Sequence, residues 1–265
     1  MAVSANGRDW VLLNASPDLR QQVAATPELA PATPGPSRDS PIKAVILTNG
    51  DVDHVAGLLS LREGFAFTLF ASERVLGTLA SNSVFNVLNE HLVPRARLEI
   101  GKPAELAALG LTVEAFAVPG KIALYLEDTA AGPSYGTRDG DTIGLEVTAS
   151  ATGASFFYIP GCASVDANLA ARLRGARLVL FDGTLYRDDE MIALGLSNKT
   201  GKRMGHVSMS GASGSIAAFR TLGVQRRVFV HMNNSNPVLC DGSAERAELE
   251  NAGWDIAFDG MEISL

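Results

Sequence analysis

The run Ile42-Lys-Ala-Val-Ile-Leu47, followed by Thr48-Asn-Gly-Asp51-Val-Asp53-His54-Val-Ala-Gly57-Leu-Leu-Ser-Leu-Arg-Glu-Gly64, constrains this chain more than any other stretch. The first six residues are apolar and β-branched enough for a buried strand, and Val55 to Arg62 has helical spacing. Metal-binding side chains are thus delivered in a turn at the C-terminal end of a strand, opening a helix. That is where an open site belongs. Gly57 has no side chain, so backbone from elsewhere can approach it closely.

Two later strands end in the same way. Leu178-Val-Leu-Phe181 delivers Asp182, and Arg227-Val-Phe-Val230 ends on His231 before Asn233-Asn-Ser-Asn-Pro237. Between them, Gly183 to Ser213 is long and irregular apart from a helix around Asp188 to Leu194. It carries Lys199, Lys202, Arg203 and His206, the last in a mobile stretch flanked by Gly201 and Gly205. Connections of that length are usually lids or binding loops.

The other elements follow from pattern and punctuation. Trp10 to Asn14 reads as a strand, and Ser16-Pro17 as the cap of a short helix over Asp18 to Ala25. Five prolines and a glycine between Thr26 and Pro41 read as a rigid surface connection. Phe67 to Ala71 is a strand, Ser72 caps a helix to about Leu79, and Ser83 to Glu90 is a further helical turn or two. The stretch Arg97 to Ser150 reads as a meander, with strands at Leu98–Ile100, Leu111–Val118, Ile122–Glu127 and Thr142–Ala149. Phe156–Ile159 is another strand. Helices are expected over Asp166–Arg174, Gly214–Leu222 and Ala244–Asn251, and short strands at Trp254–Ala257 and Met261–Ser264. The meander favours an α+β arrangement, a β-sandwich covered by helices, over a doubly wound parallel sheet.

Composition excludes several classes of function. A chain of 265 residues, 46% hydrophobic and 19% charged, folds around a sizeable core, and we read residues 1–265 as a single domain. A formal net charge of −7 argues against a general nucleic-acid binder. No apolar run reaches the about 18 residues of a membrane span and no leader pattern opens the chain, so a cytoplasmic location without membrane insertion is expected. A disulfide between Cys162 and Cys240 is not expected there. His91 has no ligand at suitable spacing and reads as a surface residue.

Asp53, His54 and His231 would together give two imidazoles and one carboxylate. Such a set leaves open positions and is the coordination of non-haem Fe(II) oxygenases. An Asp-His pair in a loop is more often a surface or supporting pair. Two histidines and two aspartates at the ends of different buried strands are harder to explain that way. Asp182 reads as a ligand, a cap, or an acceptor that orients a histidine, the last favoured. His206 reads as a general acid/base, a ligand or an exposed residue. Lys199, Lys202 and Arg203 form either a solvated patch or a clamp for carboxylates.

The turn resembles the H-x-H-x-D-H metal motif of the metallo-β-lactamase fold, aligned on Asp53-His54. Asn49 and Asp51 stand where the first two histidines would be, and Gly161-Cys162 stands where a bridging carboxylate belongs. One metal position looks dismantled and the other intact. Asp53-His54 with Gly57 to Gly64, Asn14-Ala-Ser-Pro-Asp18, Phe181-Asp-Gly-Thr184, Lys199-Thr-Gly201 with Met204-Gly-His206, and His231-Met-Asn-Asn-Ser-Asn-Pro237 together resemble the B-protein family of pyrroloquinoline quinone biosynthesis (PqqB).

That resemblance implies a metallo-β-lactamase-like αββα sandwich. It also implies an iron- and dioxygen-dependent hydroxylation of the tyrosine ring of a peptide-derived Glu-Tyr precursor. Iron would sit on Asp53, His54 and His231, with zinc as the alternative metal. Asp51, Asp182 and His206 would line the substrate side as catalytic groups, and Lys199, Lys202, Arg203 and Asn233 would bind substrate. Other proteins of the pathway and a second copy of the chain are expected as partners. An older reading makes the family a carrier of the cofactor or its precursor towards the periplasm, and a zinc hydrolase of the same fold is a further alternative. Family members usually begin with an additional strand and a cysteine-rich zinc segment, and neither is expected before Trp10 in this sequence.

Overall fold

The structure is a computed structural model that describes residues 1–31 and 39–265. It divides into two compact units. The first comprises Met1–Ala115, Ile122–Asp141 and Thr148–Gly153; the second comprises Phe116–Lys121, Thr142–Val147 and Ala154–Leu265.

In the first unit, strands β1 (Ala2–Val3), β2 (Trp10–Leu13), β3 (Ile42–Ile46), β4 (Thr68–Ala71) and β5 (Arg95–Arg97) form one sheet in that order. Only β1 and β2 pair antiparallel; from β2 to β5 the strands run parallel, with Leu12 opposite Val45 and Val45 opposite Leu69. Parallel strands need crossovers, supplied here by α1 (Leu19–Ala25), α2 (Val52–Val55) and α3 (Glu73–Ser81). Strands covered on both faces read as near-continuous apolar runs, which accounts for β3. Leu12, Val45, Leu47, Leu58, Leu69 and Leu79 centre the core of this unit. The Ser72 hydroxyl caps α3 by accepting from Val75 N at 3.1 Å. The hairpin of β6 (Pro103–Leu106) and β7 (Leu111–Ala117) is antiparallel.

The second unit is built on β8 (Ile143–Ala149), β9 (Ser155–Ile159), β10 (Leu178–Asp182), β11 (Arg226–Val230) and β12 (Asp255–Ile256), adjacent in sequence order and parallel from β9 to β12. Its crossovers carry α4 (Ala167–Leu173), α5 (Glu190–Ala193), α6 (Gly201–Met204), α7 (Ser215–Phe219) and α8 (Ala244–Asn251). Phe181, Phe219, Phe229 and Trp254 pack ring on ring, with centroids 3.9 to 5.0 Å apart. Each such pair contributes about 0.5–1.5 kcal/mol beyond its area. Asp182 is in register with Val230, so Asp182 and His231 leave neighbouring parallel strands at the same edge of the sheet.

Several elements differ from the sequence reading. Parallel pairing runs from β2 to β5 and from β9 to β12, and the expected meander is confined to the β6–β7 hairpin and the strands beside it. The helix expected over Val55–Arg62 is one α-turn, Val52–Val55, followed by a 3-10 stretch, Ala56–Leu61. Ile122–Glu127 is not a strand; Leu124–Leu126 is a 3-10 turn with Leu124 and Tyr125 exposed. Strand pairing ends at Arg97 rather than covering Leu98–Ile100, and no strand forms at Met261–Ser264. Ser16 does not cap α1: its hydroxyl donates to Gln22 Oε1 at 3.2 Å, and Asp18 occupies the cap position. The proline-rich connection lies partly outside the described residues, which resume at Asp39.

Gly57 behaves as its position suggests. A Cβ there would lie 2.2 Å from Ser16 O and 2.8 Å from Ala15 O, because Gly57 N donates to Ala15 O at 2.9 Å. Gly57→Ala should therefore lower the denaturation midpoint by a cost of about 1–3 kcal/mol, the usual range for overpacking. Gly77→Ala is the contrasting variant, since nothing lies within 4 Å of its Cβ position in α3. It should stabilise by about 0.5–1 kcal/mol. Equal effects of the two variants in urea titrations would contradict the close approach.

Candidate metal centre

The turn after β3 is organised by Asn49. Its Oδ1 accepts from Asp51 N at 3.0 Å and is hydrogen-bonded to His54 Nδ1. A backbone N–H can only donate, so the amide oxygen end is fixed and the hydrogen between Asn49 and His54 belongs to Nδ1. His54 is therefore held with its lone pair on Nε2, the form that binds a metal. Its backbone is clamped as well, because Ala15 N donates to His54 O at 2.8 Å. Ala15 is placed by Asn14, a buried residue in the left-handed region (φ +61°) whose Oδ1 accepts from Thr48 N at 2.8 Å. Asp53 follows on the exposed side of α2.

Asp51 turns to a neighbouring segment of the same unit. Its Oδ1 accepts from Leu124 N at 3.1 Å, while the Tyr125 hydroxyl donates to Gly50 O at 2.7 Å. Burial, and then the nearby Asp51 charge, raise the Tyr125 phenol above its ordinary pKa.

In the second unit, Asp182 is fully buried at the end of β10, and both its oxygens are engaged. Oδ1 accepts from Thr184 N at 3.0 Å and from the Thr184 hydroxyl at 2.6 Å. Oδ2 accepts from Cys162 N at 2.8 Å and lies 2.7 Å from His206 Nδ1. The His206 and His231 rings stack at 5.5 Å with 22° between their planes, and both Nδ1 atoms reach Thr184 Oγ1, at 3.0 and 2.8 Å. Asp182, His206 and His231 thus converge, with one donor atom from each inside a 4.8 Å cluster. Asp182 acts through His206 in this arrangement, since a cation taking its oxygens would have to displace four donors. The near-parallel rings, both held at Nδ1, carry their Nε2 atoms away from Thr184.

The segment around His206 is more ordered than expected. Gly201 N donates to Asp188 O at 2.7 Å and His206 N donates to Gly201 O at 2.9 Å, tying α6 into a closed turn. The Thr200 hydroxyl caps that turn by accepting from Arg203 N at 3.2 Å. Gly205 ends it at φ +89°, with the Lys121 side chain against the space a Cβ would fill. Lys202 is exposed and Lys199 and Arg203 are half-buried, so these cations sit within a few residues of His206. Asn233 N donates to Thr184 O at 3.1 Å, and its side-chain amide lies 3.8 Å from Met191 Sδ. His91 is exposed, and Cys162 and Cys240 are both free thiols.

Three residues of this centre had no role in the sequence reading. Thr184 bridges both histidines, Asn49 orients His54 from a position where only a lost histidine was visible, and Lys121 packs beside the His206 turn. The Asp-Gly-Thr and Asn-Gly-Asp spacings are the only sequence signals that bear on the first two.

His54, His206 and His231 each have Nδ1 against an oxygen, an arrangement in which Nε2 could hold a metal, and the β-lactamase superfamily domain model matches residues 9–232, which makes the chain a member of that superfamily. The coenzyme PQQ synthesis protein B of Rhodopseudomonas palustris (strain BisB5) is 56% identical over all of this chain and 87% of its own length. The crystal structure of Zn(2+)-bound PqqB from Methylobacterium extorquens superposes with a TM-score of 0.93 at 48% identity, over all of this chain and 86% of the other. The metallo-β-lactamase fold protein YhfI from Bacillus subtilis shares the fold alone, at a TM-score of 0.64 and 11% identity over 97% of this chain and 87% of its own. The chain belongs to the coenzyme PQQ synthesis protein B family. Its fold is the α+β metallo-β-lactamase class that the sequence motifs imply, and no helix among the described residues is long and apolar enough to cross a membrane.

Two predictions follow from burial. Desolvation, with the Asp182 charge second, pushes the Cys162 thiol up to about 12. A thiol reagent at neutral pH should therefore label one cysteine, the exposed Cys240, in the native protein and two after denaturation. Labelling of Cys162 in the native state would contradict its enclosure. For Asp182, burial alone would raise the pKa, but the His206 charge and hydrogen bond, the His231 charge and the Thr184 hydrogen bond outweigh it and lower the value. The unfolded chain then binds this proton more readily than the folded one. Its stabilising contribution is complete above about pH 4 and is lost as pH falls through the depressed folded value. In metal-free protein, stability should decline with acid more steeply in the wild type than in Asp182→Asn. Parallel profiles would remove Asp182 from the acid transition.

Proposed function

We propose that this protein catalyses a dioxygen-dependent hydroxylation in pyrroloquinoline quinone biosynthesis, on the tyrosine ring of a peptide-derived Glu-Tyr precursor. In this reading Asp53, His54 and His231 hold one divalent metal. The observation that carries it is the chemistry of the donors: two imidazoles whose Nδ1 atoms are engaged by Asn49 and Thr184, and one exposed carboxylate. Two histidines and a carboxylate with open positions suit Fe(II), which when bound would supply coordination sites for dioxygen and substrate.

The remaining roles belong to the chain. His206, held at Nδ1 by Asp182, presents Nε2 as the acceptor and donor of the substrate proton. Lys199, Lys202 and Arg203 attract a substrate bearing several carboxylates, and Asn233 offers it an amide. Asp51, with Oδ1 on Leu124 N, lines the substrate side as a further catalytic group. Each hydroxylation replaces C–H by C–OH. If one atom of dioxygen is inserted, the other leaves as water with two electrons from a small-molecule reductant; if both are inserted, none is needed.

Anaerobic loading with Fe(II), followed by dioxygen and a Glu-Tyr dipeptide, should give a product heavier by whole oxygen atoms. Asp53→Ala and His231→Ala should lose turnover by at least the about 10–100-fold typical of outer-shell metal partners, with the far-UV spectrum kept. The description of the Methylobacterium protein as Zn(2+)-bound favours a second reading, a zinc hydrolase using the same donors. Turnover that persists without dioxygen and needs zinc would replace the oxygenase reading. Stoichiometric ligand binding unaffected by His231→Ala, without turnover, would indicate a carrier.

A further inference from the structure

The Thr184 hydroxyl has one hydrogen and four polar neighbours. Asp182 Oδ1 lies at 2.6 Å, His231 Nδ1 at 2.8 Å, His206 Nδ1 at 3.0 Å and His231 O at 3.1 Å. Counting hydrogens decides who donates. Asp182 accepts from two backbone N–H groups, Cys162 and Thr184, so its oxygens are acceptors. If the Thr184 hydrogen went to His231, two oxygen lone pairs, one on a buried carboxylate, would face each other at 2.6 Å. In a low-dielectric site that arrangement is strongly disfavoured. The hydroxyl therefore donates to Asp182, and at 2.8 Å the contact with His231 is a hydrogen bond only if His231 Nδ1 supplies the hydrogen.

His231 needs such a restraint. Its backbone lies in the left-handed region at φ +60°, uncommon for a residue with a side chain. The ring leaves the chain directly after β11, and Thr184 Oγ1 touches both its Nδ1 and its own carbonyl.

We propose that Thr184 is a positioning residue that carries the influence of Asp182 to His231, fixing that ring as the Nδ1–H tautomer so that Nε2 is its metal-binding atom. One buried carboxylate then sets both histidines, His206 directly and His231 through a hydroxyl. The consequence for metal binding rests on the reading of His231 as a ligand; the tautomer does not.

The test uses the metal-free full chain at a pH where the nitrogen-15 shifts themselves show both rings to be neutral. Nitrogen-15 chemical shifts of the His231 ring should report Nδ1–H in the wild type and in Thr184→Ser, which keeps the hydroxyl. Thr184→Val, close in shape but without it, should shift the ring towards Nε2–H. Titration with Zn(II) alone should then show affinity about 10–100-fold weaker in Thr184→Val and restored in Thr184→Ser. An Nε2–H ring in the wild type overturns the proposal without any variant, as does an unchanged tautomer in a folded Thr184→Val protein. A tautomer that shifts while zinc affinity stays constant upholds the relay and sinks the assignment of His231 as a ligand.

Discussion

The carboxylate of Asp182 is the interaction on which the second unit's polar architecture depends. A charge buried at the end of β10 is tolerated only with every lone pair engaged, and the residues that engage it come from three different places. Cys162 N comes from the turn after β9, Thr184 N and Oγ1 from the turn after β10, and His206 from the far end of a long connection. Meeting that demand pins three segments at one sheet edge. Order around His206 follows from this chemistry and from the closed turn at α6, not from burial of apolar surface alone.

The first unit reaches a comparable result with neutral groups. Parallel strands deliver their ends at one edge, and β2 and β3 end there in Asn14 and in Thr48-Asn49. Asn14 adopts the left-handed conformation that the next strand's backbone demands, as His231 does after β11. An amide then does for His54 what a carboxylate and a hydroxyl do for the other two rings. In each unit a histidine is oriented by residues that follow a neighbouring strand, so its placement depends on sheet register as well as on its own loop.

This division explains what the sequence makes legible. Strands such as Ile42–Ile46 and Leu178–Asp182 are apolar except for Lys43 and the terminal Asp182, and the polar residues at and beyond their ends stand out against that background. Asp53, His54, Asp182 and His231 are conspicuous for that reason. Pairing direction is not written in such runs, and the parallel order of β2 to β5 was not legible in them. Ile122–Glu127 has strand-like composition, yet bonds from Leu124 and Tyr125 to Asp51 and Gly50 hold it as a turn. Thr184 was silent because a threonine acquires meaning only from its neighbours. At Asn49 the sequence shows the missing histidine but not the acceptor that stands in its place.

The residues standing where the family motif has its other metal ligands are engaged in bonds of their own. Asn49 spends its carbonyl on Asp51 N and His54, and Asp51 spends one carboxylate oxygen on Leu124 N. Cys162, at the bridging position, keeps its hydrogen: the thiol donates to Ser164 O at 3.1 Å, and burial beside Asp182 opposes the thiolate a metal would need. Each of these groups is committed to a bond inside its own unit. A second ion would have to break those bonds and deprotonate the buried thiol next to an existing negative charge. Asn49 and Asp51 thus act as supports of the turn in the first unit, and Cys162 as a buried thiol in the second.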